Sequence, residues 1–111
     1  MQRRLLFSLS AATLLGSCAV MQGVPVAAKS QLAPRGLLRA AINFGNPVLA
    51  RRDPAGPGGI SSDLARELAR RLGVPIAFVT YDSAGKVVQG PEASQAWDVC
   101  FLAIDPLRAE T

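Results

Sequence analysis

Apolar and polar residues along the chain fall into patterns typical of alternating strands and helices. Apolar runs at residues 37–44, 76–81 and 99–104 have strand length, and the last is continuously apolar, as in a strand covered on both faces. A further extended piece at 48–52 is followed by glycines and prolines at 53–59, a pattern that predicts a hairpin.

A helix is predicted at residues 63–72, where apolar residues recur at the spacing of one helix face. The apolar face consists of Leu64, Ala65, Leu68, Ala69 and Leu72, and the opposite face of Arg66, Glu67, Arg70 and Arg71. Ser61 or Ser62 precedes this pattern as an N-cap, and Gly73 follows it as a stop signal. We therefore interpret the charges here as a solvated helix surface.

Two short helices are predicted between the second and third strands, at residues 84–89 and, after Gly90 and Pro91, as far as Trp97. The resulting order is strand, hairpin, helix, strand, helices, strand. Because helices between strands provide crossover connections, this order predicts an α/β lobe with a mostly parallel sheet and flanking helices.

The N-terminal region has the pattern of a bacterial export signal. Arg3 and Arg4 precede an apolar run at residues 5–15. This run is shorter than the roughly 20 residues of a membrane-spanning helix. The predicted division of the chain is a signal peptide and processing region at 1–28, a tether at 29–36 and a partial lobe at 37–111.

Two processing sites are visible in this region, and the sequence leaves both open. Residues 15–18 resemble the lipobox of bacterial lipoproteins, in which Cys18 receives the lipid and becomes the new N-terminus. The small residues at 26–28 suit an ordinary signal peptidase that cuts before Lys29. The other cysteine, Cys100, lies in an apolar run, and we interpret it as a small buried hydrophobic residue.

Composition argues against several functional classes. The chain has 12 basic and 8 acidic residues, a net charge of +4, and removal of Arg3 and Arg4 with the leader would reduce this to +2. The remaining arginines are scattered and do not form the basic stripe of a nucleic-acid-binding protein. Because the sequence has no histidine and no glycine-rich phosphate loop, we predict no catalytic residue, metal site or cofactor.

Polar residues follow the ends of the predicted strands. Asn43 and Asn46 follow the first strand. Asp82 and Ser83 follow the second, and Arg108 follows the third. Open α/β sheets bind ligands at this edge, where an arginine can bind a carboxylate through paired hydrogen bonds. The alternative interpretation is that the asparagines form turns and that Arg108 lies on a surface helix.

Three segments, at residues 37–43, 59–69 and 97–108, carry motifs in the order found in bacterial extracellular solute-binding proteins of family 3. The chain resembles this family, which comprises the amino-acid receptors of ABC importers. The resemblance covers residues 37–108 and only the beginning of the family's two-lobed domain. It implies an incomplete periplasmic-binding-protein-like lobe of type II.

The resemblance also implies a set of ligand contacts. The residues that it places at the ligand are Asn43, Phe44, Asn46, Ser83, Ala103 and Arg108. Arg108 corresponds to the arginine that holds the ligand's α-carboxylate. Asn43 closes the first strand and would offer an oxygen, without charge, to the ligand's ammonium group. Asn46 and Ser83 lie near positions where many relatives have aromatic residues, with Phe44 as a substitute.

The function implied by the resemblance is that of a substrate-binding component, or a truncated fragment of one, which binds an amino acid or similar solute for an ABC importer. Its partners would be the solute and the importer's membrane subunits. The leader predicts a periplasmic location, with a lipid anchor if Cys18 is the processed residue and without one if cleavage follows Ala28. The alternatives are a non-binding fragment of a disrupted gene and a fragment of a cyclohexadienyl-dehydratase-like enzyme.

Overall fold

The computed structural model describes residues 23–89 and 92–107. The elements in chain order are α1 (Val26–Leu32), β1 (Leu38–Asn43), β2 (Arg51–Asp53), β3 (Gly56–Gly58), α2 (Ile60–Leu72), β4 (Ile76–Tyr81), α3 (Ala84–Val88), α4 (Ala93–Ala96) and β5 (Val99–Cys100). From β1 onward, the predicted order of elements is confirmed. Residues 1–22 of the leader, which include the lipobox with Cys18, lie outside the described residues, as does Arg108.

The central strand of the sheet is β1, which pairs in parallel with β4 on one side and with β5 on the other. The β1–β4 register runs from Leu38 opposite Ile76 to Asn43 opposite Tyr81. In β1, Leu38 and Ile42 have no exposed surface, because helices cover the sheet. The predicted fold class, α/β with a parallel sheet and flanking helices, is therefore confirmed.

The third strand is shorter than its apolar run suggested. Only Val99 and Cys100 pair with β1, opposite Ala40 and Ala41. This strand lies at an edge of the sheet and is only half-buried, and Ile104 beyond it is fully exposed. The prediction of a strand at 99–104 covered on both faces was therefore wrong, because apolar residues continue past the last paired position.

Helix α2 begins at Ile60, earlier than predicted, and its N-cap is Gly59. Gly59 has a φ of 98°, and a β-carbon there would lie 2.7 Å from the carbonyl oxygen of Leu49, so this position suits only glycine. The prediction of a serine N-cap was wrong, because Ser61 and Ser62 lie inside the first turn. The predicted stop at Gly73 is confirmed, with the left-handed backbone of a helix C-cap.

The buried face of α2 consists of Ala65, Ala69 and Leu72, with Ser61 and Ser62 at its start. Ala69 and Leu72 form a core cluster with Leu38 of β1. Leu64 was predicted to join this face, but its side chain is 53% exposed. The apolar face is therefore narrower than the sequence pattern indicated.

The predicted hairpin is confirmed, with β3 formed by part of the segment that was predicted to be a turn. Helix α1 was not predicted, and it spans the boundary between the predicted processing region and tether. Leu32 of α1 packs against the core cluster. The division of the chain at residues 28 and 36 remains a prediction. Within the described ranges, no helix is long and apolar enough to cross a membrane.

An ion pair connects β1 and β5 at the amino end of the sheet. The Arg39 guanidinium donates to both carboxylate oxygens of Asp98, at 2.7 and 3.1 Å. The backbone N–H of Arg39 also donates to this carboxylate, and the backbone N–H of Asp98 donates to the Arg39 carbonyl, each at 2.8 Å. The side chains of Arg39 and Asp98 are 15% and 6% exposed. These hydrogen bonds with Arg39 hold the pKa of Asp98 below its usual value.

Candidate functional site

A cavity of about 290 Å³ lies at the carboxyl ends of the strands. Its walls come from the ends of β1 and β4, the segment after β5, the loop after β1, and the first turns of α2 and α3. The lining residues are Asn43, Gly45, Asn46, Pro47, Leu49, Ser61, Ser83, Ala84, Phe101 and Ala103. This is the edge where open α/β sheets bind ligands, and the volume is near the lower end of ligand pockets, roughly 300 Å³.

Two asparagine turns shape the loop after β1. The side-chain oxygen of Asn43 accepts a hydrogen bond from the backbone N–H of Gly45 at 2.9 Å. The side-chain oxygen of Asn46 accepts one from the N–H of Val48 at 3.1 Å. Both asparagines thus form turns and also line the cavity, so the two interpretations of their role are compatible.

Ser61 is a cavity residue that the sequence analysis missed. It is only 4% exposed, and its hydroxyl makes no hydrogen bond within residues 23–89 and 92–107. Its backbone N–H donates to the carbonyl oxygen of Leu49 at 3.0 Å, which joins α2 to the loop after β1. A buried hydroxyl without a partner is costly. Ser61 was overlooked because a serine before an apolar helical pattern is usually an N-cap.

The loop after β1 leaves little space at Gly45. A β-carbon at this position would lie 2.8 Å from the Asp82 carbonyl oxygen and 3.0 Å from the side-chain oxygen of Asn43. The loop can therefore approach the end of β4 closely only because residue 45 has no side chain.

Four of the residues predicted to contact a ligand line the cavity: Asn43, Asn46, Ser83 and Ala103. Phe44 does not, and its ring instead lies 4.1 Å from the guanidinium carbon of Arg52. The aromatic side chain in the cavity wall is Phe101, which the sequence analysis had assigned to the third strand. Arg108 and Cys18 lie outside the described residues.

The described part of the cavity wall carries no charged side chain. The nearby carboxylate of Asp82 forms ion pairs with Arg52 and Lys86. Burial raises the pKa of the Cys100 thiol, which does not line the cavity. In the described ranges there is also no group of three or more His, Cys, Asp and Glu residues that would hold a metal ion. The chemistry available in these walls is hydrogen bonding and apolar contact.

Comparison with known proteins supports the fold. No family model matches the chain, and no curated protein matches it. A solved structure with a similar fold is that of an ancestral cationic amino acid solute-binding protein, with a TM-score of 0.58 and 27% sequence identity. The chain has a solute-binding-protein fold.

The match extends over 75% of this chain but only 37% of the neighbour. This chain therefore corresponds to a minor part of the neighbour's solute-binding-protein fold. The similarity to this neighbour supports a binding role in general.

Proposed function

We propose that this chain is a substrate-binding component of an ABC-type importer, related to the solute-binding proteins of family 3, and that it binds an amino acid or a similar small solute. The observation that carries the proposal is the cavity at the carboxyl ends of the parallel strands, where the buried Ser61 has a hydroxyl without a hydrogen-bond partner among the described residues. The neighbour's description as a cationic amino acid solute-binding protein supports the same class of ligand.

The cavity has the features of one wall of a binding site. Asn43, Asn46 and Ser83 supply polar contacts, and Phe101 supplies an apolar surface. Arg108 is proposed to bind the ligand's α-carboxylate through two parallel hydrogen bonds. In a receptor with a second lobe, the ligand would be enclosed between the lobes, and that closure would signal the importer.

We further propose that the protein is exported to the periplasm and is held at the membrane by a lipid on Cys18. Mass spectrometry of the mature N-terminus tests this proposal, because diacylated Cys18 and unmodified Lys29 differ in mass. A mature protein that retains Met1 would contradict export by either route.

Ligand binding is tested by thermal shift of the full chain against a panel of the common amino acids at millimolar concentration. A ligand that binds only the folded state at about 100 times its Kd stabilises it by roughly 2.7 kcal/mol, so we expect a clear rise in melting temperature for at least one amino acid. If no amino acid raises the melting temperature, the chain is not a receptor by itself, and the non-binding fragment is the better description.

The role of Arg108 is tested with the ligand that gives the largest shift. We expect Arg108→Ala to reduce affinity by at least about tenfold, because a charged hydrogen-bond partner is lost. Arg71→Ala is the matched control, since Arg71 is exposed on α2 and does not line the cavity. Unchanged binding by Arg108→Ala would remove the carboxylate assignment and leave the receptor proposal in place.

A further inference from the structure

We propose that this cavity receives the oxygen atoms of its ligand, as the carboxylate or carboxamide of an acidic or neutral amino acid, and selects against a cationic side chain. This inference rests on the proposed function and names the substrate class of the same site. It differs from what the neighbour's description as a cationic amino acid solute-binding protein would suggest.

The turns after β1 fix the orientation of the two asparagine amides. A backbone N–H can only donate, so the side-chain atom that it meets must be the amide oxygen. Gly45 and Val48 provide these N–H groups, to Asn43 and Asn46 respectively. The amide oxygens therefore accept the hydrogen bonds of the turns. The two NH₂ groups have no hydrogen-bond acceptor in the described parts of the chain. The asparagines thus offer donors to the cavity.

Ser61 is buried, lines the cavity and has a hydroxyl without a hydrogen-bond partner among the described residues. A hydroxyl can donate or accept. Here it lies in the first turn of the 13-residue helix α2, where the helix dipole places partial positive charge. This position favours a ligand atom with negative charge, to which the hydroxyl donates.

Among the described residues, a cation in the cavity would find no unpaired negative charge to compensate it. The described lining residues are all uncharged, and the carboxylate of Asp82 is already paired with Arg52 and Lys86. Moving an ammonium or guanidinium group from water into such a site is costly, since its hydration is lost without an ion pair. A carboxylate or carboxamide oxygen, in contrast, would meet several donors.

The test compares four ligands by isothermal titration calorimetry with the full chain: L-glutamate, L-glutamine, L-arginine and L-lysine. We expect at least one of the first pair to bind about tenfold more tightly, or better, than either cationic amino acid. The decisive variant is Asn43→Asp. An aspartate has the same shape and can still accept from the Gly45 N–H, so the turn remains, but an NH₂ donor becomes a carboxylate oxygen.

Asn43→Asp should weaken binding of glutamate or glutamine by about tenfold and strengthen binding of arginine or lysine by a similar factor. Gln31→Glu is the matched control, since it makes the same amide-to-carboxylate change at an exposed residue of α1 that does not line the cavity. This control should leave all four affinities unchanged. If thermal melting shows that Asn43→Asp is unfolded, Asn46→Asp provides the same test at the second turn.

Each result has a defined meaning. Binding of arginine or lysine to the unmodified chain as tightly as glutamate and glutamine would overturn this inference and leave the proposed function in place. An unchanged preference in a folded Asn43→Asp or Asn46→Asp protein would also overturn it. If none of the four ligands, and no other amino acid, binds the unmodified chain, the proposed function fails and this inference fails with it.

Discussion

The polar groups at the two ends of β1 differ in whether their hydrogen bonds are satisfied within the protein. At the amino end, Arg39 and Asp98 satisfy each other through side-chain and backbone hydrogen bonds and are largely shielded from solvent. At the carboxyl end, Asn43 directs its oxygen into a turn and keeps its NH₂ group free of protein acceptors within the described residues, and Ser61 is buried without a partner there.

Because of this difference, one end of β1 contributes mainly to stability and the other end mainly to ligand binding. Loss of one partner from a charge pair that is matched within the protein destabilises the fold, and such a pair offers nothing to a ligand. Polar groups that are left unmatched in a cavity cost stability and are available to a ligand that supplies the missing partner. We therefore expect substitutions at the two ends to have separable effects on melting and on affinity.

The largest effect is expected at the amino end. Asp98→Ala removes the acceptor of the Arg39 guanidinium and of the Arg39 backbone N–H. Loss of one partner of a shielded ion pair leaves the other partner uncompensated, so the melting temperature should fall by roughly 10 °C or more. Asp98→Asn keeps the shape of the side chain and one hydrogen-bond acceptor. Its melting temperature should lie between those of Asp98→Ala and the unmodified chain.

The same ion pair predicts a pH dependence. The pKa of Asp98 is lowered in the folded chain by its hydrogen bonds with Arg39. Its contribution to stability is therefore complete above the carboxyl's unfolded pKa and is lost as the pH falls through the lower folded pKa. In acid melts, the Asp98→Asn protein should lose less stability than the unmodified chain. Equal losses in the two proteins would contradict the assigned role of Asp98.

A smaller and differently directed effect is expected at the carboxyl end. Ser61→Ala removes a buried hydroxyl that has no partner among the described residues, so the melting temperature should stay the same or rise by a few degrees, while the affinity for the best amino-acid ligand falls by roughly three- to tenfold. Thermal melting and calorimetry measure the two quantities in the same preparation.

The neighbouring Ser62 provides the control. Its hydroxyl is fully buried and donates to the Gly58 carbonyl at 3.3 Å, but it does not line the cavity. Ser62→Ala should therefore destabilise the fold by about 1 kcal/mol and leave affinity unchanged. If Ser61→Ala lowers stability and Ser62→Ala lowers affinity, the separation of stability from ligand binding that is proposed for the two ends of β1 does not apply to these two serines of α2.

The smallest effect is expected on the solvated face of α2, away from both ends of β1. Hydrogen bonds from Arg70 and Arg71 lower the pKa of Glu67 to about 2. The contribution of the ionised Glu67 side chain to stability is complete above about pH 4.5 and is lost as the pH falls through about 2. Because the side chain is 42% exposed, Glu67→Gln should lower the melting temperature by only about 1 °C at low salt and not at all in 1 M NaCl. A large or salt-independent change would mean that this network is shielded from solvent.

Most of the fold could be predicted from local patterns. Residues 76–81 form a strand with the predicted bounds, and Gly73 ends α2 as predicted, because apolar runs and glycine conformation act locally. The length of β5 could not be predicted, since strand pairing is a tertiary contact that the apolar run at 99–104 does not reveal. The N-cap of α2 was assigned wrongly because the approach of Leu49 to Gly59 is a tertiary contact.

The site was predictable in position but not in detail. The polar residues Asn43, Asn46 and Ser83 meet at one cavity because parallel strands end at the same edge. Ser61 and Phe101 were not assigned to it, since the first lies within a helix pattern and the second within a strand pattern. The direction of the Asn43 amide follows from a turn hydrogen bond, which composition does not reveal.

The short pairing of β5 predicts different rates of backbone amide exchange in two walls of the cavity. The wall at Asn43 continues from a strand that is paired over its whole length with β4, whereas the wall at Phe101 and Ala103 follows only two paired residues. Backbone amides in weakly paired segments exchange with solvent through local opening of low free energy. We therefore expect the backbone amides of Phe101 and Ala103 to exchange with solvent faster than those at the end of β1.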